Sequence, residues 1–322
     1  MNALRRLSIL SLILGVAQVV FGAIVRITGS GLGCGDHWPK CEGHWFPPLD
    51  RPDLIIEVSH RYIAATLSVA IVTLLVVALV RRSAPGVGGR GGVLRAAALA
   101  AALVVVAALF GAVTVKLELG NKPVIVTHLA IAMTLLAVLV SAVMRAGGLG
   151  AASAGIGTAS ARTWRGARAA LALTFLVLVM GAFTAHVPGA NASCVGFPLC
   201  RGSLMPSGTQ HIQVTHRILA FLLFFHLMGV AIGVVRRREA PLITRAALAA
   251  FGLVFVQLVV AAALVEMQLP ALIRSLHQAV GTLVWVAMVM LAMLSRRGAL
   301  GVGVPARVPS PRPTLRAAEV AT

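Results

Sequence analysis

The sequence predicts an all-α polytopic membrane protein: eight transmembrane helices forming two similar four-helix bundles related by a pseudo-two-fold axis. Three observations carry the prediction: very few charges, eight long apolar runs, and an internal repeat that divides the chain in two. Only 11% of the 322 residues are charged and 59% are hydrophobic, with a mean hydropathy of +0.94. A soluble domain carries about 25% charged residues, so the deficit points to lipid as the solvent.

The apolar runs cover about 7–26, 54–80, 96–115, 123–145, 167–187, 211–235, 245–266 and 271–294. Each is long enough to cross a hydrocarbon core of about 30 Å at about 1.5 Å per residue. They are unbroken, unlike the alternating strands of a membrane barrel, so helices must satisfy the backbone. The first run follows Arg5 and Arg6 and has the look of a signal peptide. It is long enough to span and lacks a small-residue cleavage site, so it is read as a retained first helix. Glycine-rich linkers near 83–94 and 146–161 are expected to be mobile, and a Pro- and Arg-containing tail at 299–322 is expected to stay disordered.

Charge sets the expected orientation. Of the 28 basic residues, 19 fall on one side, among them Arg81, Arg82, Arg236, Arg237 and Arg238. The remainder, including Arg26, Lys122 and Arg274, lie on the other side or in its helix turns. The positive-inside rule puts both termini in the cytoplasm. The Ala-, Val- and Arg-heavy usage points to a bacterial plasma membrane. The basic excess, 28 against 9 acids, therefore serves topology. With Tyr62 the only tyrosine, the chain offers no stacking surface for nucleic acid.

The repeat is the strongest organising feature. GAIVRITGSGLGCGDHWPKC (22–41) parallels GAFTAHVPGANASCVGFPLC (181–200), and EVSHRYIAA (57–65) parallels QVTHRILAF (213–221). Residues 1–150 and 151–298 are thus two four-helix halves. An even helix count makes both enter the membrane in the same sense.

Four histidines belong to the repeat: His60, His128, His216 and His277. All stand near the outer ends of their helices, so each half holds two imidazoles at one depth, as the axial positions of a heme require. Zinc would need more ligands than two per half. Arg61 and Arg217 follow two of these histidines and are candidates for pairing with heme propionates. Glu57 lies three residues before His60 and so shares its helix face, whereas the second half has Gln213 there. A carboxylate can take a proton or stabilise positive charge, and an amide cannot, so chemistry is expected in the first half. His37, His44, His186, His211 and His226 have no such pattern and are read as structural.

All four cysteines lie in outer loops, where disulfides persist. The bridges Cys34–Cys41 and Cys194–Cys200 are expected, and spacing leaves open whether they are structural or act in redox or heme handling. A metal site with His37 or His44 is a minor alternative.

Taken together, GAIVRITGSGLGCGDHWPKC, EVSHR, the histidines of the fourth and eighth helices and the second cysteine pair resemble the bacterial branch of the heme A synthases, over about 7–294. The resemblance implies oxidation of a methyl group of heme O to a formyl group, giving heme A for terminal cytochrome oxidases. It implies His60 and His128 as ligands of the substrate heme, His216 and His277 as axial ligands of a heme b cofactor, and Glu57 as the residue essential to oxidation. Heme O, the lipid bilayer, the heme O synthase and cytochrome oxidase assembly factors are the implied partners. One departure is AHVPGA in the fifth helix, which carries the unmatched His186. Two other classes compete. A diheme electron carrier of cytochrome b type gives no reason for the Glu57/Gln213 difference. A transporter predicts helices broken by Gly or Pro at mid-depth, whereas the prolines here cluster at loops and helix ends.

Overall fold

The computed structural model describes residues 1–35, 40–148, 158–200 and 208–300. The described residues form eight helices: α1 (Asn2–Thr28), α2 (Pro52–Val80), α3 (Val93–Lys116), α4 (Lys122–Arg145), α5 (Ala161–His186), α6 (Gln210–Arg236), α7 (Pro241–Glu266) and α8 (Ala271–Ala299). All eight are long and apolar enough to cross a membrane, which makes this a multi-pass membrane protein. The all-α expectation is borne out, with helices extending a turn or more beyond several of the apolar runs.

Local chemistry sets the helix ends. Pro52, Pro123 and Pro241 sit in the first turns of α2, α4 and α7, where a missing N–H costs nothing. The Asn121 and Ser160 side chains accept from the Val124 and Thr163 amides, at 3.2 Å each, and cap α4 and α5. The turns α3–α4 and α7–α8 are built alike. Glu118 and Leu119 in one, and Gln268 and Leu269 in the other, all take positive φ without being glycine.

Packing follows the repeat. α1–α4 close a ring by neighbouring contacts, and α5–α8 close a second. The rings meet through α1 against α8, α4 against α8 and α4 against α5, the set a two-fold relation exchanging α1 with α5 and α4 with α8 would produce. α8 is the most enclosed helix. At this seam Trp285 of α8 is buried, donates its indole N–H to the Met133 carbonyl of α4 at 2.8 Å, and packs on Phe175 of α5. One apolar cluster runs through both halves here, joining Val19, Leu136 and Met144 to Ile243, Trp285 and Val289.

The linker 83–94 departs from the mobile segment expected. Val87 is fully buried against Leu4, Leu74 and Ala78. The Val93 and Leu94 amides bond back to Gly86 and Val87, and Arg145 donates to the Gly92 carbonyl. Its glycines serve positive-φ turns at Gly86 and Gly89 that fold a hydrophobic plug inward. α8 continues through Ala299, so the first residue assigned to the tail is helical. The tail beyond 300, the stretch 149–157 and His37 lie outside the described residues.

Candidate functional site

The four repeat histidines occupy the N-terminal parts of α2, α4, α6 and α8, and all keep some accessible surface. Within the first ring His60 and His128 are close enough to interact electrostatically, and within the second His216 and His277 are as well. The structure therefore brings together the pairs that the sequence put at matched depth. Among the described residues no three His, Cys, Asp or Glu side chains converge as a metal cage. Paired imidazoles fit an iron whose other ligands come from a porphyrin.

Glycines set the imidazoles close to the neighbouring helix. A Cβ on Gly22 of α1 would stand 3.1 Å from His60 Cε1, and one on Gly181 of α5 would stand 2.9 Å from His216 Cε1. On α3 a Cβ at Gly111 would reach 3.4 Å from His128 Cε1. Gly22 and Gly181 open the two matching repeat segments, so the repeat held the signal, though no role was read from it.

The nitrogens are used differently in the two halves. His216 Nδ1 donates to the Val177 carbonyl at 3.1 Å, a bond that leaves Nε2 directed away as an acceptor. Metal-ligating histidines commonly show this arrangement. His60 is reversed: Gln18 donates its amide to His60 Nε2 at 3.1 Å, and Nδ1 is buried without a partner. His128 Nδ1 is also buried and unpartnered. Gln257 of α7 donates to the His277 carbonyl at 3.0 Å and lies over that imidazole, 3.2 Å from Nδ1 and 3.3 Å from Nε2. Gln18 and Gln257 were missed by sequence reasoning, because one glutamine in an apolar helix has no periodic partner.

Each site is roofed by a disulfide loop. Cys34–Cys41 and Cys194–Cys200 are both formed, with Cα–Cα distances of 4.4 and 4.7 Å. Glu57 is 4% exposed, and its Oε2 accepts from the Cys34 amide at 2.9 Å. Gln213 is 6% exposed and accepts from the Cys194 amide at 3.1 Å. The two residues thus hold the same point of their loops. Arg61 pairs with Glu57 Oε1 at 2.7 Å and donates to the Gly35 and Lys40 carbonyls. Among the described residues Arg217 forms no ion pair, and it donates to the carbonyls of Cys194, Gly196, Pro198 and Leu199. Both arginines thus spend donors on the loops.

Of the other histidines, His226 bonds the Gly166 carbonyl at 2.9 Å, while His44 and His211 are exposed. His186 ties Nδ1 to the Ala182 carbonyl at 2.7 Å, and its Nε2 is buried without a partner.

The family follows from comparison with known proteins. The profile described as cytochrome oxidase assembly protein matches residues 5–289. The chain belongs to this family. A heme A synthase of Bacillus pumilus is 32% identical over 238 residues, 69% of this chain and 72% of that protein. One from Alkalihalophilus pseudofirmus is 27% identical over 309 residues, 91% and 98% of the respective lengths. A protoheme IX farnesyltransferase of Thermus thermophilus is 31% identical over 295 residues, covering 87% of this chain but 46% of that longer protein. The heme A synthase resemblance expected from the sequence is borne out.

Proposed function

We propose that the chain is a heme A synthase, an oxidoreductase of the bacterial plasma membrane with both termini cytoplasmic. It oxidises a methyl group of heme O to a formyl group. His60 and His128 hold the substrate heme. His216 and His277 hold a heme b cofactor, which supplies one-electron redox chemistry when bound. Heme O is too apolar to travel in water, so a site reached from lipid avoids desolvation of its tail.

One observation carries the division of labour. Glu57 and Gln213 make the same bond to the first cysteine of their loops, so holding the loop needs an acceptor oxygen and no charge. The charge on Glu57, which the ion pair with Arg61 holds, is therefore not required for the loop bond. It sits one turn outward of His60, where oxidation of a methyl group releases protons, and its carboxylate is the acceptor we assign. His216 holds its Nδ1 as a permanent metal ligand does, while His60 and His277 each lie against a glutamine, Gln18 and Gln257, a partner that can be exchanged when a heme arrives. A diheme carrier gives no reason for the Glu57/Gln213 difference. Alignment with nearly the whole chain inside a longer farnesyltransferase supports the heme O synthase as a working partner. Cytochrome oxidase assembly factors are the expected downstream contacts. Arg61 and Arg217, with donors given to the loops, would act on propionates mainly through their charge.

The test is Glu57→Gln, which mimics the second half. It should keep the loop bond and the reduced heme b band while formyl product falls by about 10²–10⁴-fold. Undiminished product from heme O would remove Glu57 from the chemistry.

A further inference from the structure

The outer end of the seam between the halves gathers positive charge that the reading above leaves unused. Arg26 ends α1, Lys122 begins α4, His186 ends α5 and Arg274 lies in the first turn of α8. These are the four helices through which the rings meet. Arg26 is close enough to Arg274 for their charges to repel, and His186 stands within the same range of Arg26 and Lys122. All four are partly buried. Among the described residues no carboxylate pairs with any of them, and the side chains of Arg26, Lys122 and Arg274 make no hydrogen bond. The free, buried Nε2 of His186 lies in the same group. Cations brought together at partial burial, with no counter-charge, are costly unless an anion joins them.

Helical spacing aims two of them. Arg26 stands four residues beyond Gly22, the glycine against His60, so it projects from the same face of α1 one turn outward. Arg274 stands three residues before His277 and shares its face of α8, also one turn outward. Each proposed heme thus has a guanidinium one turn beyond one of its imidazoles, and the two belong to helices that pack together at the seam.

We propose that Arg26, Arg274 and Lys122 form a carboxylate seat that takes the heme propionates, Arg26 serving the heme of the first half and Arg274 that of the second. The inference rests on the heme reading and replaces Arg61 and Arg217 as the principal propionate partners. Guanidinium and carboxylate match as a planar, charge-assisted pair. Anions from two hemes would separate the like charges that otherwise face each other.

The experiment compares hemin with hemin dimethyl ester, titrated into the full-length protein in detergent and followed by the Soret band. Wild type should bind hemin at least about tenfold more tightly than the ester. Arg26→Gln and Arg274→Gln should each shrink that preference and the double variant should abolish it. The Soret maximum of the bound form should not move, because the imidazoles remain, and Arg→Lys at both positions should restore part of the preference. Equal affinities in wild type, an arm that needs no variant, would overturn the seat while leaving the heme reading standing. So would a full preference in the double variant. Phosphatidylglycerol retained by wild type and lost from the double variant, with equal porphyrin affinities, would assign the cations to lipid phosphate instead. No uptake of either porphyrin would sink the heme reading itself.

Discussion

The two halves have one scaffold and different charges on it. In the first, Glu57 and Arg61 form an ion pair beneath the cysteine loop. In the second, Gln213 takes the same loop amide and Arg217 turns to four backbone carbonyls. The comparison separates what both halves share, an acceptor under the loop and a guanidinium to gather it, from the ion pair that the first half alone carries. A second contrast runs the other way around the rings: glutamine meets His60 from α1 in one half and His277 from α7 in the other.

The largest effect expected from breaking the likeness is at the glycines. A valine at Gly181 would drive atoms into the His216 ring, already 2.9 Å from a bare Cβ. On the proposed assignment, Gly181→Val should displace that imidazole and remove most of the heme b absorbance. Gly22→Val, whose Cβ would stand 3.1 Å from His60 Cε1, should instead lower product while sparing heme b. Difference spectra and product assays on the same membranes would check both, and equal loss of heme b in the two variants would contradict independent sites.

A smaller effect is expected at Gln18. Gln18→Leu frees His60 Nε2 from a bond of about 1 kcal/mol, so heme should bind the first half a few-fold more tightly. Gln257→Leu should leave that affinity alone. Porphyrin titration of the two variants would show it, and weaker binding in Gln18→Leu would mean that the amide helps the bound heme.

The smallest effect lies at the end of the bundle away from the cysteine loops. Leu4 and Thr163 hold matching positions, 159 apart like Cys41 and Cys200. Leu4 is part of an apolar plug, whereas Thr163, Ser160 and Arg237 all donate to Glu239 in the α6–α7 turn. Burial alone would raise that carboxyl, but these hydrogen bonds outweigh it and hold Glu239 below the usual carboxylate range. A depressed folded value means the stabilisation is present above the ordinary carboxylate pKa and is lost as pH falls through the folded one. Glu239→Gln should therefore lower Tm by a few degrees at pH 7, with the gap from wild type closing toward pH 4. A gap independent of pH would place the effect in packing.

The helices, the repeat and the paired histidines were legible in the sequence because hydrocarbon thickness and duplication impose long-range patterns. Helix ends were less so, since polar turns such as those at Asn2 and Ser295 continue a helix past the apolar run that reveals it. The roof was hidden for a different reason. Arg61 and Arg217 look free beside histidines, and only the folded loops show the carbonyls that claim them. Val87 was hidden likewise, one apolar residue among glycines whose burial depends on where Leu4 and Leu74 come to rest.

The indole that ties α8 to the Met133 carbonyl has a consequence for traffic. A carrier that rocks one half against the other must break and remake its midline at every cycle, and here that would strand a buried N–H in oil. A reaction that needs no such rocking leaves this bond intact.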